Sequence, residues 1–293
     1  MSEKGRFRDF SGPNLCRFLS VFVGCFSRRS IYNRGMKYLD TYIPKEYLAL
    51  KINYCRNMLA TLPRVVMHEY RTGGKLRKRV TVDNHRYSLG TEAGDKFCKI
   101  MHFRNKLEEE LQICEAIWKH NFLKPVPEYK IPRVTRTLNT GYDKVVLNSD
   151  FFNSLKEDAN NNYSKSTFYA FNGINYRSAS ERDIAIFYTE AGIPFKYEPE
   201  VWFNGMNKPA YPDFVLLIPE LDTCKFHEHC GLMSFDNYIR EVSLKCGTYA
   251  RSGLLMDQDV FFTYSTDNVN LDFRYLSAKL NAVVYGTMLN FNQ

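Results

Sequence analysis

From residue 177 to residue 286 the sequence switches repeatedly between helical spacing and short β-rich runs, and that order constrains the fold more than any other feature. RSASERDIAIFYTEAG (177–192) predicts a helix, with a serine cap at Ser178 or Ser180, an acidic first turn, apolar residues at 184, 187 and 188, and Gly192 as the stop. PFKYEPEVWF (194–203) predicts extended chain, and AYPDFVLLIP (210–219) a strand closed by Pro219. LDTCKFHEHCG (221–231) supplies a turn and a second strand. NYIREVSLKCGTYARSGL (237–254) predicts a helix, DVFFTY (259–264) a strand, and LDFRYLSAKLNAVVYG (271–286) a final helix. Helix, antiparallel strands, helix, strand and helix make a mixed α/β sheet flanked by helices.

The front of the chain differs in charge. Residues 1–149 hold 28 Lys+Arg against 14 Asp+Glu, whereas residues 150–293 hold 12 against 18. A basic half joined to an acidic half suits a polyanion-binding module attached to a metal-binding one. EYLALKINYCRNMLAT (46–61) predicts a helix, and 65–82 a β-hairpin turning at Thr72-Gly73-Gly74. Period two puts Lys75, Arg77 and Arg79 on one face of its second arm, a cationic ribbon suited to following phosphates. Residues 91–122 predict one long helix whose EEE run (108–110) is its solvated side. The front is thus an α+β region of helix, basic hairpin and long helix.

These patterns predict a basic nucleic-acid-binding region over 1–140, a linker over 141–167 and the sheet domain over 168–293. LCRFLSVFVGCF (15–26) faintly imitates a signal peptide, but Arg17 interrupts it and Arg28 and Arg29 follow, so a packed helix is expected there. No window supplies the ~18–20 apolar residues of a membrane span. Eight cysteines without a CxxC pair read as reduced thiols, and a cytoplasmic protein with no membrane partner is expected.

CKFHEHC (224–230) raises the question of a metal. On a strand, His227 and His229 share one side with Lys225, while Cys224, Phe226, Glu228 and Cys230 share the other. The four residues that zinc would need are split, and the plain expectation for His227 is an exposed strand residue. Strand parity favours Glu228 instead, with Asp213 of Pro212-Asp213 on the preceding strand as its partner. Two adjacent carboxylates repel unless a cation sits between them, and oxygen ligands suit Mg²⁺ or Mn²⁺. Mg²⁺ held by carboxylates polarises a phosphoryl oxygen and lowers the pKa of an attacking water.

Ser178, Ser180 and Glu181 on a helix, GIPFKYEPE (192–200), YPDF (211–214), and EHCG (228–231) followed by a helix with Lys245 and Tyr249 occur in an order that resembles the PD-(D/E)xK nuclease superfamily. The similarity is greatest to a bacterial and phage branch with E-H-x-G in place of E-x-K. It implies a restriction-endonuclease-like fold, with Asp213 and Glu228 as metal ligands and Glu181 as a further ligand or as the holder of a metal-bound water. Cys230 stands where the superfamily has its lysine, and Lys245 on the following helix is the implied substitute. Glu181, Asp213, Glu228 and Lys245 are then the expected catalytic residues. Tyr249, His229, Lys75, Arg77 and Arg79 are the expected substrate contacts. The expected activity is Mg²⁺- or Mn²⁺-dependent hydrolysis of DNA with an activated water as nucleophile. The alternatives are a degenerate nuclease fold that only binds nucleic acid, and a zinc module built on Cys224, His227, His229 and Cys230.

Overall fold

A computed structural model of the chain describes residues 44–131, 135–266 and 268–289; the segment 15–26 lies outside them. The chain divides into two compact units, residues 48–131 and residues 132–293 together with 1–47.

The smaller unit begins within helix α1 (Lys45–Thr61) and continues through strands β1 (Val66–Thr72), β2 (Lys75–Val82) and β3 (His85–Ser88) to helix α2 (Glu92–Asn121). β1 and β2 pair up to Thr72 opposite Lys75. The two loop residues, Gly73 and Gly74, have φ of 57° and 75°, the left-handed pair that lets a two-residue turn match the strand twist. A second such turn, Asp83-Asn84 at φ 46° and 67°, adds β3 antiparallel to β2. The sequence reading stopped at residue 82 because Asp-Asn is a weaker turn signal than Gly-Gly, although both residues tolerate this conformation.

One face of the sheet buries Val80 and Val82 and sets Tyr87 against Phe97 of α2, ring centroids 4.8 Å apart. The register places His68, Tyr70, Lys75, Arg77, Arg79 and Arg86 on the other face. There the Arg79 guanidinium lies 4.9 Å from the centre of the Tyr70 ring.

Thr91 caps α2 by accepting from the Gly94 N–H. Ile100, Phe103, Leu107, Cys114 and Trp118 form its buried stripe. Glu110, expected on the solvated side, lies on that stripe three residues after Leu107. It is buried with Lys51, whose Nζ is 2.7 Å from its carboxylate.

The larger unit is built on a four-stranded sheet. Helix α4 (Ala179–Ala191) precedes β8 (Phe195–Tyr197), β9 (Phe214–Ile218) and β10 (Thr223–Cys230). Helix α5 (Asp236–Arg251) connects β10 to β11 (Val260–Tyr264), and α6 (Phe273–Leu289) follows. β8, β9 and β10 are antiparallel in turn, and β11 is parallel to β10.

Every residue of β9 and β10 is buried, as expected of central strands covered on both faces. Val215, Leu217, Cys224, Phe226, Val260 and Phe262 pack on one face with Val242 and Tyr249 of α5. On the other, Phe214 and Phe261 flank His227, and Tyr188 of α4 meets all three strands' side of that layer through Phe195, Phe214 and His227. His227 is therefore a core residue and not an exposed one.

At the end of the front region expected over 1–140 the chain forms β4 (Thr137–Asn139), and within the linker expected over 141–167 it forms β5 (Lys144–Val146) and helix α3 (Ser149–Ser154). Leu138, Leu147, Phe152 and Leu155 join the core of the larger unit, and Arg136 Nε donates to Asp259 at 2.9 Å. The burial comes from isolated apolar residues in a polar text, which carry no periodic signal. A short hairpin, β6 (Ala170–Phe171) and β7 (Ile174–Asn175), then leads into α4. No described helix is long and apolar enough to cross a membrane.

Candidate active site

The sheet register brings the two central acids together. β9 and β10 pair Phe214 with His227, so one further step sets Asp213 opposite Glu228. Cross-strand partners share a face, with Cβ atoms roughly 4.5–5.5 Å apart. β8 and β9 pair Tyr197 with Phe214, and the same step sets Glu198 opposite Asp213. The Glu198 N–H donates to the Asp213 carbonyl at 3.0 Å. Three carboxyl-bearing residues thus form a row where β8 ends and β9 begins.

Glu181 joins them from the first turn of α4. Ser178 caps that helix through the Glu181 N–H, at 3.2 Å, the serine–glutamate spacing of a capping box. The Glu181 carboxylate accepts from the Arg177 N–H at 3.1 Å and from the Tyr197 hydroxyl at 2.7 Å. Gly192 ends the helix at φ 64° and returns the chain into β8. Glu181, Glu198, Asp213 and Glu228 are all buried, none more than 6% exposed.

Buried carboxylates need partners. Asp213 Oδ2 accepts from the His229 N–H at 2.8 Å, and Oδ1 accepts from Arg177 Nη2 at 2.9 Å. The same guanidinium lies 3.0 Å from Glu198 and 3.4 Å from Glu181. Asn160 donates to Glu198 at 2.9 Å, and Lys165 Nζ lies 2.5 Å from its second oxygen. Glu228 is held by α5: Lys245 Nζ donates at 2.8 Å, and the Tyr249 hydroxyl donates to the other oxygen. Lys245 and Tyr249, four apart, share a helical face.

The electrostatics follow from burial. Glu228 is pushed up to about 7 because it is desolvated and faces Asp213, with Lys245 and Tyr249 pulling the other way. Burial and Asp213 likewise raise Glu181, against Arg177 and Tyr197. Burial disfavours the charge of Lys245, but Glu228 and Asp213 outweigh it and raise its pKa, so the ammonium is firmly protonated. Cys230 is pushed up to about 12, first by burial and then by Glu228, and stays a neutral thiol.

Glu181, Asp213, Glu228, Lys245 and Tyr249 are therefore brought together. The His229 ring is not: it points to the other side of β10, its Nδ1 3.0 Å from the Thr263 hydroxyl and its Nε2 3.3 Å from that of Ser265. Only its backbone reaches Asp213. Lys75, Arg77 and Arg79 belong to the other unit.

No protein-family model, curated protein or solved structure matches this chain.

Among the described residues, no three His, Cys, Asp or Glu side chains are arranged to hold a metal ion. The zinc alternative fails on strand parity. Cys224 and Cys230 lie in the core against α5, while His227 spends its nitrogens on Tyr188 at 2.7 Å and Thr263 at 2.8 Å. For the carboxylates the reason differs: their oxygens are drawn to Arg177, Lys245 and two tyrosines. Sequence reasoning missed Arg177, Tyr197, Glu198 and Lys165 as members of this cluster. Tyr197 and Glu198 end the extended run of β8, and nothing in that stretch alone marks them as buried members of the cluster.

Proposed function

We propose that the chain is a metal-dependent nuclease of the PD-(D/E)xK kind, acting on DNA and using Mg²⁺ or Mn²⁺. The observation that carries this reading is the placement of Asp213 and Glu228 opposite each other on adjacent strands, with Lys245 2.8 Å from Glu228. The helix, three antiparallel strands, crossover helix and parallel strand support a restriction-endonuclease-like arrangement around them.

The donor set suits a hard divalent cation: carboxylate oxygens, desolvated and mutually repelling. Asp213, Glu228 and Glu181 would hold it, and it would supply charge neutralisation at the scissile phosphate and acidify a water. The His229 N–H fixes the Asp213 carboxylate, and Tyr249 fixes that of Glu228. Lys245, with its side chain 48% exposed, carries its charge to the solvent edge of Glu228. There it can orient a water and meet the negative charge that develops on phosphate, the role for which Cys230 has no cation.

DNA would be held by the basic face carrying Lys75, Arg77 and Arg79, with Tyr70 among them. The second reading, a nuclease fold that only binds nucleic acid, is favoured by the thiol at Cys230 and by carboxylates already neutralised in place.

A divalent-ion screen against single-stranded and duplex DNA separates the two. The nuclease reading predicts cleavage with Mg²⁺ or Mn²⁺ that falls at least about 10³-fold in Asp213→Ala, with DNA binding retained. Binding without turnover under every ion tried supports the second reading.

A further inference from the structure

Arg177 touches more of the acidic cluster than any other cation described. Its guanidinium contacts Asp213 at 2.9 Å, Glu198 at 3.0 Å and Glu181 at 3.4 Å, whereas Lys165 and Lys245 each reach one member of the buried row. A guanidinium does not lose its proton near neutral pH, so it cannot leave the cluster by becoming neutral. It can leave by moving. The Arg177 backbone is anchored just before the α4 cap, its N–H shared between Glu181 at 3.1 Å and the Tyr197 hydroxyl at 3.2 Å. The side chain is 30% exposed, and the Tyr163 ring lies 5.5 Å from the guanidinium carbon. That partial exposure gives the guanidinium a way to solvent that does not require the helix start to move.

We infer that Arg177 is an exchangeable counter-ion, which lies between Asp213, Glu198 and Glu181 until a divalent cation displaces it. This rests on the proposed cation site and deepens it. It explains why the acids are adjacent while no three-ligand group is assembled among the described residues. The positive charge that would compete for Asp213 is already part of the chain. Two cations on one carboxylate at such distances repel, so the presence of either weakens the binding of the other. Displacement frees a planar donor fork at the edge of the site, where it can meet a phosphodiester oxygen.

The test is calorimetric titration of Mn²⁺ into the full chain, comparing wild type with Arg177→Gln and Arg177→Lys. Removing the competing charge is expected to tighten Mn²⁺ binding by about tenfold or more in Arg177→Gln, consistent with loss of one nearby cation. Arg177→Lys, a point charge that cannot span three carboxylates, is expected to fall between the two. Should Arg177→Gln not fold with its carboxylates uncompensated, Arg177→Lys alone decides by binding tighter than wild type. Equal or weaker Mn²⁺ binding by the variants, or none by any of the three proteins, overturns the inference. Because the readout is binding, it is separable from the nuclease reading. Tighter binding without cleavage supports the exchange and sinks the nuclease; cleavage by a wild type whose variants bind no tighter sinks only the exchange.

Discussion

At the residue scale, Glu228 is the most diagnostic side chain. Its pKa in the folded protein is up to about 7, so it carries a proton for part of the time at neutral pH. A cation binds only the ionised form, so divalent-ion affinity should rise between about pH 6 and pH 8, with net proton release. Titrations in buffers of different ionisation enthalpy measure that release, and Glu228→Gln should reduce it. Lys245 acts beside it as a fixed positive charge. Lys245→Met should lower cleavage about 10²–10³-fold, a typical loss for an oriented charge at a developing anion, with little effect on DNA affinity. Asp213 and Glu228 were legible in the sequence because strand parity determines which side chains face one another, whereas Lys245 was expected from the resemblance to a nuclease superfamily and not from spacing. Arg177 and Glu198 were not legible, because their role depends on three elements meeting at a sheet end. Nothing in RSASE or KYEPE taken alone requires that meeting.

At the element scale, β10 separates two chemistries. Its Glu228 side faces α5, while its histidine side forms a buried chain from Tyr188 through His227, Thr263 and His229 to Ser265. Burial holds both histidines below their ordinary pKa; His229 lowers His227 further, while Asp213 opposes the shift at His229. A depressed folded pKa means that their contribution to stability is present above about 6.5, the unfolded value, and is lost as pH falls below it. Glu228 and Glu181, shifted up, act in the opposite sense over the same range, so the histidine contribution is read as the extra fall in thermal midpoint from pH 7.5 to pH 5.5 that wild type shows over His227→Gln. His227→Gln should be less stable at pH 7.5 by about 1–3 kcal/mol, from disturbed buried hydrogen bonds, and less sensitive to the acid change. The β1–β2 turn offers a separate check. Gly74 has φ 75° and open space where a Cβ would go. Gly74→Val should then cost roughly 1–2 kcal/mol from backbone conformation alone, read by denaturant unfolding.

At the scale of the whole molecule, helix-strand order was readable wherever an element carried its own period: α1, α2, α4, α5, α6 and the strands from β8 to β11. The misplaced linker shows the limit. Leu138, Leu147 and Phe152 are buried by tertiary contact, not by any pattern local to residues 137–155. The charge division has a measurable consequence in DNA binding. Replacing Lys75, Arg77 and Arg79 together with glutamine should weaken binding similarly for all sequences. It should also reduce the slope of log affinity against log salt by about 3, roughly 0.9 for each lost phosphate contact.

The central claim is that Asp213 and Glu228 act as one unit on one cation, and a double-mutant cycle on the cleavage rate tests it most directly. Asp213→Asn and Glu228→Gln are each predicted to lower Mg²⁺-dependent DNA cleavage by about 10³-fold, and the double variant to be hardly worse than either, as for groups that work together. Cleavage at the wild-type rate by either single variant, or losses that simply multiply in the double, would contradict it.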